Sequence, residues 1–491
     1  MYLLMNKDRE VARFDITDGG FGSVYSFEKH TVNPLPIGFD YIEAWIENRK
    51  ASKHNAHLRQ VMRDCGCDGA EGFIKVTHAA SINDTFWVKE ESDRICWNDV
   101  SFYCNEFNEV ISKLAFEGIG LYGIKLSHTS PELSTDGSFR KCWIREDDGI
   151  YLYKRGSSGA RNAGREPYCE IMGAEIAGKL LPSAVSYELV SLHGELASKC
   201  RLFTSEQYGY VPAARFNINH SSPNELMQFY SKLGSEDAFR RMIVIDSLTF
   251  NIDRHAGNHG VLVDNDTIQP VTMAPVFDMN MSMLPYVERE EFLDIGRKME
   301  QYGPRIGDDF TRMAQQAVNS AIRSDLIGLK GFQFAFRGDE SFPEWRVHAM
   351  EELVNRQIEA ILSKNILYTK DAFIPLRTNE KKTEDASDGL YQKPEAEKNK
   401  QRADSLAAKL METGAFIGYD VEDIEGNQEH QELVLYLKIG NYEEIRVRMD
   451  TMECWPELEG APVSALDCIV SHPHLSHALD QIKALLDPEL E

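Results

Sequence analysis

The sequence predicts an α+β protein built from several modules, and three observations carry that prediction. Stretches of period-two alternation recur along the chain, and so do stretches with apolar residues at helical spacing. One block, residues 246–263, starts as an apolar helix, passes through a polar turn and leaves as a β-branched strand. At 491 residues the chain has material for two to four domains with substantial cores.

Composition removes whole classes of function. The net charge is −25, and no Lys/Arg cluster could track a phosphate backbone, so direct nucleic-acid binding is not expected. No run approaches the roughly 18 apolar residues that span a membrane. Met1–Met5 is apolar but Lys7, Asp8 and Arg9 follow at once, which is not a signal peptide. A cytoplasmic location is the expectation. The nine cysteines are scattered, and the one close pair, Cys65 and Cys67, has no matching Cys/His pair at zinc-finger spacing. Free thiols in a reducing compartment fit that pattern.

Residues 1–120 read as an N-terminal α/β module. A strand is expected over Glu10–Asp15, then a turn at Asp18–Gly22. Its three glycines, Gly19, Gly20 and Gly22, look at first like a phosphate-binding loop. The nearest strand lysine that could serve it is Lys75, however, and no Glu-bearing helix follows in register, so a plain turn is predicted. Tyr41–Asn48 has helical spacing. The aromatic-rich segments Asn83–Val88 and Trp97–Tyr103 are predicted core.

Residues 121–215 carry the first chemical signals. Two strands flank a polar loop holding Ser134, Gly137 and Ser138, a composition that lets backbone amides enclose phosphate oxygens. Lys154 ends an alternating strand, Gly149–Lys154, and could point into a cleft. The helix Glu166–Leu181 follows, with Pro167 at its first turn and an apolar stripe through Ile171, Ala174 and Ala177. A strand lysine held by a carboxylate on the next helix is the arrangement that fixes an amine on nucleotide phosphates. Glu170 is the expected partner and Glu166 the second choice. Residues 186–203 read as a hairpin whose second strand runs out into an interlobe hinge.

Residues 216–375 are expected to be mainly helical. Pro223 through Asp246 reads as helical and delivers the chain to the polar turn that displays Asp253 and Asn258, with Asp278 beyond a hairpin. Phosphoryl transfer needs such groups: a carboxylate orients the attacking hydroxyl, while an amide and a second carboxylate hold magnesium. The Asp-x-x-x-x-Asn interval is that of a protein-kinase catalytic loop. Two amphipathic helices follow, at 309–325 and 344–364. Residues 376–402 read as a charged linker. A small α+β module at 403–491 holds a helix from Ser405, strands at 433–438 and 444–449, and a last helix ending in Leu485 and Leu486.

Four features thus stand in order: Ser134-x-x-Gly137-x-x-x-Lys141, strand Lys154, helix Glu170, and Asn251-Ile-Asp253-Arg-His255-Ala-Gly-Asn258-His-Gly followed by Asp278. The combination resembles the HipA-type serine/threonine protein kinases, a toxin-kinase family with a relative in lipid kinases. The resemblance covers about residues 125 to 365, the first 120 loosely and the C-terminal module not at all. It implies a two-lobed, protein-kinase-like fold that uses ATP and Mg2+. In it Asp253 is the catalytic Asp, Asn258 and Asp278 are magnesium ligands, and Lys154 binds the nucleotide phosphates. It further implies that Ser134 lies in a phosphate-covering loop open to autophosphorylation, where the added charge would repel ATP. It implies a protein substrate, and an antitoxin-like protein partner, whose place the C-terminal module could take. His255 and His259 are read as groups that orient the turn. Two other readings stay open: a lipid kinase or AMP-transferring enzyme on the same scaffold, and a non-enzymatic kinase-like binding module.

Overall fold

The computed structural model describes residues 1–19, 22–30, 34–50, 69–117, 130–135, 139–159, 162–295 and 302–363, and five short strand segments between 416 and 462. The chain divides into two compact units, Met1–Ser52 with Leu58–Leu376, and Lys53–His57 with Arg377–Glu491. Helices and sheets are both abundant and largely antiparallel pairing prevails, so the α+β class is as the sequence predicts.

The first unit opens with a four-stranded sheet of order β3-β2-β1-β4: β1 Tyr2–Asn6, β2 Arg9–Gly19, β3 Gly22–His30 and β4 Phe86–Glu90. Strands β2 and β3 pair antiparallel with Gly19 opposite Gly22, on either side of the expected turn, whose residues 20 and 21 lie outside the described residues. Strand β1 was not anticipated. It is buried along its whole length, so it shows no apolar–polar alternation. Its two faces enter different cores. Tyr2 and Leu4 pack with α1 (Ile42–Arg49) and α2 (Ala70–Thr77), through Trp45, Ile46 and Phe73. Leu3 and Met5 pack with Trp87, Trp97, Trp143 and Ile150. Trp97 begins a single-turn helix, α3 (Trp97–Val100), and α4 (Glu109–Glu117) follows.

Trp143 and Ile150 belong to a second antiparallel sheet of order β5-β6-β8-β7, made of β5 Lys141–Glu146, β6 Gly149–Arg155, β7 Tyr187–Leu192 and β8 Glu195–Arg201. Between β6 and β7 runs α5, Glu166–Leu180. The aromatic cluster of the N-terminal sheet therefore also closes one face of the sheet that bears Lys154. The residues at 125–129, where a strand is expected before the polar loop, lie outside the described residues; Pro131–Ser134 form a 3-10 turn whose Glu132 carboxylate accepts from the Trp143 N–H (2.7 Å) and the Ser112 hydroxyl (2.9 Å).

A third sheet, β9 Tyr208–Pro212, β10 Gly260–Asp264 and β11 Gln269–Met273, lies at the edge of the helical region. The stretch from Pro223 to Asp246 is two helices, α6 Pro223–Lys232 and α7 Glu236–Thr249. Gly234, at φ +66°, takes the left-handed conformation that ends the first. The stretch 309–325 is likewise split into α8 Phe310–Ala317 and α9 Ser320–Gly328. Asn319 accepts from the Ile322 N–H (2.9 Å) and starts a new helix inside a continuous apolar pattern. The last helix, α10, spans Glu344–Leu362.

Helix α7 is the centre of this region and packs against α5, α6, α8 and α10. From Met242 to Thr249 every residue is buried, the polar Asp246, Ser247 and Thr249 included, so this half of the helix is enclosed on all sides. It ends at Phe250, which is left-handed at φ +50° and whose ring meets Phe310 edge-on at 5.8 Å. Only tertiary packing holds a bulky residue there, since the conformation costs about 1–2 kcal/mol. That turn releases the chain into residues 251–259.

In the second unit a five-stranded antiparallel sheet runs in chain order: β12 Phe416–Asp423, β13 Gln431–Leu437, β14 Glu443–Arg448, β15 Cys454–Leu458 and β16 Ala461–Pro462. Strands β13 and β14 are the two expected from sequence. The expected linker at 376–402 and the two expected helices of this region lie outside the described residues.

Candidate active site

Strand register builds the first half of the site. Lys154 on β6 pairs with Lys141 on β5 and with Ser198 on β8. Directly paired residues project to the same face of a sheet, so three polar side chains share one patch. Helix α5 covers that patch and buries Glu170 against it. Lys154 Nζ donates to Glu170 Oε1 (3.2 Å) and to Asp278 Oδ1, while the Ser198 hydroxyl donates to Glu170 Oε2 (2.6 Å). Lys154 and Glu170 are both buried, and Asp278 is half-buried. Glu166, the second-choice partner, is engaged elsewhere: its carboxylate accepts from the Tyr286 hydroxyl (2.6 Å) and the Ser157 N–H (3.2 Å).

Asp278 reaches this cluster because its loop can approach α5. A Cβ on Gly173 would lie 2.9 Å from Met279 Cβ, so only glycine permits the approach. Asp278 itself is left-handed at φ +56°, a conformation aspartate tolerates better than most residues. Its backbone N–H donates to the Tyr187 hydroxyl (3.2 Å).

The second half of the site is the turn after α7, and Arg254 holds it. This buried guanidinium donates to both oxygens of Asp246 (Nε–Oδ2 3.0 Å, Nη2–Oδ1 3.0 Å). Its remaining nitrogen donates to the carbonyls of Asn258 (2.8 Å) and Phe277 (2.6 Å). One side chain thus ties the 253–258 turn to the residue before Asp278. Asn251 completes the frame, accepting from the Asp253 N–H (3.0 Å) and donating to Asp246 (3.1 Å). Asn258 Nδ2 donates to the Asp253 carbonyl (2.9 Å), which fixes the orientation of the buried amide.

The two acids are tuned apart. Burial raises the Asp253 carboxyl above the usual range, with the Asp278 charge adding to that and His255, Arg305 and Lys154 opposing it. Burial also works against Asp278, but Lys154 overrides it and holds that carboxyl below its usual range. Glu170 is raised by burial in spite of Lys154. Lys154 remains cationic: burial disfavours its charge, and Asp278 and Glu170 more than offset that. A carboxylate of raised basicity beside one kept ionised is a division suited to proton acceptance and cation binding respectively.

The histidines differ. His259 is buried, its Nδ1 lies 2.8 Å from the Tyr230 hydroxyl, and burial pushes its pKa down to about 3. A permanently neutral ring of this kind shapes the turn. His255 is exposed, and its Nδ1 accepts from the Gly257 N–H (3.0 Å).

Ser134 ends the 3-10 turn, half-buried, and its hydroxyl donates to the Pro131 carbonyl (3.3 Å). Gly137 and Ser138 lie outside the described residues. Phe139 follows, its ring centroid 6.0 Å from Lys154 Nζ. Sequence reasoning passed over Arg254, Asp246, Ser198 and Tyr187. Arg254 lay inside the quoted motif, but nothing in its neighbours showed that it would be buried on Asp246. Ser198 shows only through strand register.

Among the described residues no group of three or more His, Cys, Asp or Glu side chains is placed to hold a metal ion. A divalent cation here would need the Asp278 carboxylate, Asn258 Oδ1 and oxygens of a bound phosphate. That hard-oxygen set fits magnesium.

No family model matches the chain, and no curated protein does. Among solved structures the chain is similar to the proinflammatory kinase CtkA of Helicobacter pylori (15% identity, TM-score 0.36, covering 46% of this chain and 91% of that one). It is also similar to the Shewanella oneidensis MR-1 toxin–antitoxin complex of HipA, HipB and operator DNA (10% identity, TM-score 0.36, covering 74% of this chain and 100% of that one). At such low identity and TM-score, the functional reading rests on side-chain geometry.

Proposed function

We propose that this protein is an ATP- and magnesium-dependent phosphotransferase of the HipA-like serine/threonine protein kinase type. The observation that carries the reading is the meeting of Lys154, Glu170 and Asp278, from three separate elements, beside a turn that carries Asp253 and Asn258 and is tied to the Asp278 loop by Arg254.

In this reading Lys154 is held by Glu170, itself fixed by Ser198, and its ammonium positions the phosphates of the nucleotide. Asp278 and Asn258 Oδ1 would be the protein's oxygen ligands for a divalent cation, with Asp278 contacting Lys154 in the structure. Magnesium, when bound, neutralises charge on the bridging and transferred phosphate oxygens. Asp253 accepts the hydrogen bond of an acceptor hydroxyl, orients it in line with the γ-phosphorus and takes its proton as the O–P bond forms, the bridging P–O bond to the β-phosphate breaks and ADP leaves. The raised basicity of its carboxylate favours that step. The 3-10 turn at Ser134, anchored by Glu132, starts the loop that encloses the phosphates. Ser134 is the hydroxyl assigned to self-modification in this reading. A protein acceptor and an antitoxin-like partner belong to the same proposal.

The test is transfer of label from γ-labelled ATP in magnesium, followed by mass spectrometry of the protein. Asp253→Ala and Asp278→Ala are each expected to lower transfer by at least a thousandfold with circular dichroism unchanged. Robust transfer by either variant would remove the assignment. Label arriving from the α-phosphate instead would indicate AMP transfer.

A further inference from the structure

The chain that follows Asp278 is held in an unfavourable conformation. Met283 and Leu284 are both left-handed, at φ +56° and +53°, although neither is glycine and both are buried. Asn280 Oδ1 and Ser282 Oγ are buried without a hydrogen-bond partner. Arg346, on α10, is fully buried and donates to the backbone carbonyls of Leu284, Pro285 (3.1 Å) and Val287 (2.6 Å). Its Nε has no partner, and burial pushes its pKa down to about 10. Left-handed backbone and orphaned polar atoms persist only where surrounding contacts over-determine them.

On the other side those contacts come from the start of α5 and the loop before it. Asn162 Nδ2 donates to the Tyr286 carbonyl (3.1 Å), and Arg165 donates to the Pro285 carbonyl (3.1 Å) and pairs with Glu288 (3.3 Å). The Tyr286 hydroxyl donates to Glu166 Oε1 (2.6 Å), and burial together with the Glu166 charge raises its pKa, so it stays a donor. The other oxygen of Glu166 accepts from the Ser157 N–H (3.2 Å), just beyond Lys154 in the chain. Gly156 keeps this joint tight: a Cβ there would lie 2.9 Å from Gly164 Cα and 3.0 Å from Pro167 Cδ. Glu166 therefore joins the segment after Asp278 to the end of the strand that carries Lys154. Glu170 stands one helical turn further along the same face.

We propose that residues 279–288 form a strained strap with a closed position, as in this structure, and an open one. Arg165, Glu166 and Tyr286 are then positioning residues: the closed strap seats α5 so that Glu170 holds Lys154. The consequence for phosphotransfer rests on the kinase reading, whereas the strap itself is tested without nucleotide. In the full chain, hydrogen exchange read by mass spectrometry follows strap opening, and trace labelling with acetic anhydride follows exposure of Lys154. Tyr286→Phe keeps the ring and Arg165→Met keeps most of the stem. Each should speed exchange over 279–288 about tenfold and raise Lys154 acetylation about fivefold, with exchange in α7 unchanged. Ser282→Ala removes an orphaned hydroxyl from the closed form and should slow strap exchange about threefold. Unchanged strap exchange in the first two variants overturns the proposal. So does faster strap exchange with Lys154 no more reactive, which would uncouple the strap from α5. Loss of α7 protection in step with the strap overturns it as well, because the strap would then not open by itself. Equal or faster strap exchange in Ser282→Ala overturns the strain on which the two positions depend. Transfer of γ-phosphate by the wild-type chain is measured separately. Its absence beside the expected exchange and labelling shifts would sink the kinase reading and leave the strap standing.

Discussion

Replacing Lys154 by methionine tests the centre of the site without reference to any ligand. In the wild-type chain one ammonium sits between Glu170 and Asp278. Lys154→Met leaves two carboxylates facing each other across a packed methylene chain. Two acids that both reach one ammonium are about 5 Å apart, and at an effective dielectric of about 20 like charges at that separation repel by about 3 kcal/mol. The expected loss of stability at pH 7 is therefore about 3–5 kcal/mol, the range for removing one partner of a buried ion pair. Asp278→Asn makes the opposite change: it leaves a one-to-one pair between Lys154 and Glu170 and should cost under about 1 kcal/mol. The pH dependence has a definite sign. In Lys154→Met a folded-state carboxyl titrates above its unfolded value, so the folded chain binds the extra proton. The deficit is then full above the folded pKa and shrinks as pH falls from neutral toward about 4.3. Urea unfolding, followed by tryptophan fluorescence at several pH values for both variants, measures this. Equal stability of the two variants at pH 7, or a Lys154→Met deficit that grows on acidification, would refute the electrostatic coupling argued here.

Other outcomes follow from single contacts. His259 folds neutral with its pKa down at about 3, whereas the unfolded chain takes up a proton near 6.5, so stability is full above pH 6.5 and falls toward pH 3 by up to about 1.4 kcal/mol per unit; His259→Gln should flatten that slope in acid unfolding curves. Arg254→Lys cannot reproduce four donor contacts from one ammonium, and chemical denaturation should show a loss of about 3–5 kcal/mol together with lost phosphotransfer. Gly173→Ala should cost about 1–3 kcal/mol by overpacking against Met279. Because that contact seats Asp278, ATP in magnesium should raise the melting temperature of this variant less than it does the wild type's.

Much of the site was legible because short polar motifs between apolar runs carry their own meaning. Asp253 and Asn258 lie five residues apart on one turn, and a helix that feeds such a turn shows in its apolar content. Lys154 at a strand end and Glu170 one helical turn beyond Glu166 could be named as candidates by period alone. The sequence ranked Glu170 ahead of Glu166, and in the structure both are buried and contact with Lys154 for the one and Tyr286 for the other separates them. The helix breaks at Gly234 and Asn319 were hidden inside patterns that stay apolar on both sides.

What the sequence determined by itself is local: the α+β character, the polar turn, and which residue types could do phosphoryl chemistry. What only the tertiary structure decided is convergence. Lys154 and Asp278 are 124 residues apart, and their contact depends on Gly173 letting a loop approach α5 and on Arg254 tying that loop to the turn. Periodicity records which face of an element is buried, not which distant element covers it. Burial raises the Asp253 carboxyl, while the distant Lys154 overrides burial at Asp278 and holds that acid below its usual range.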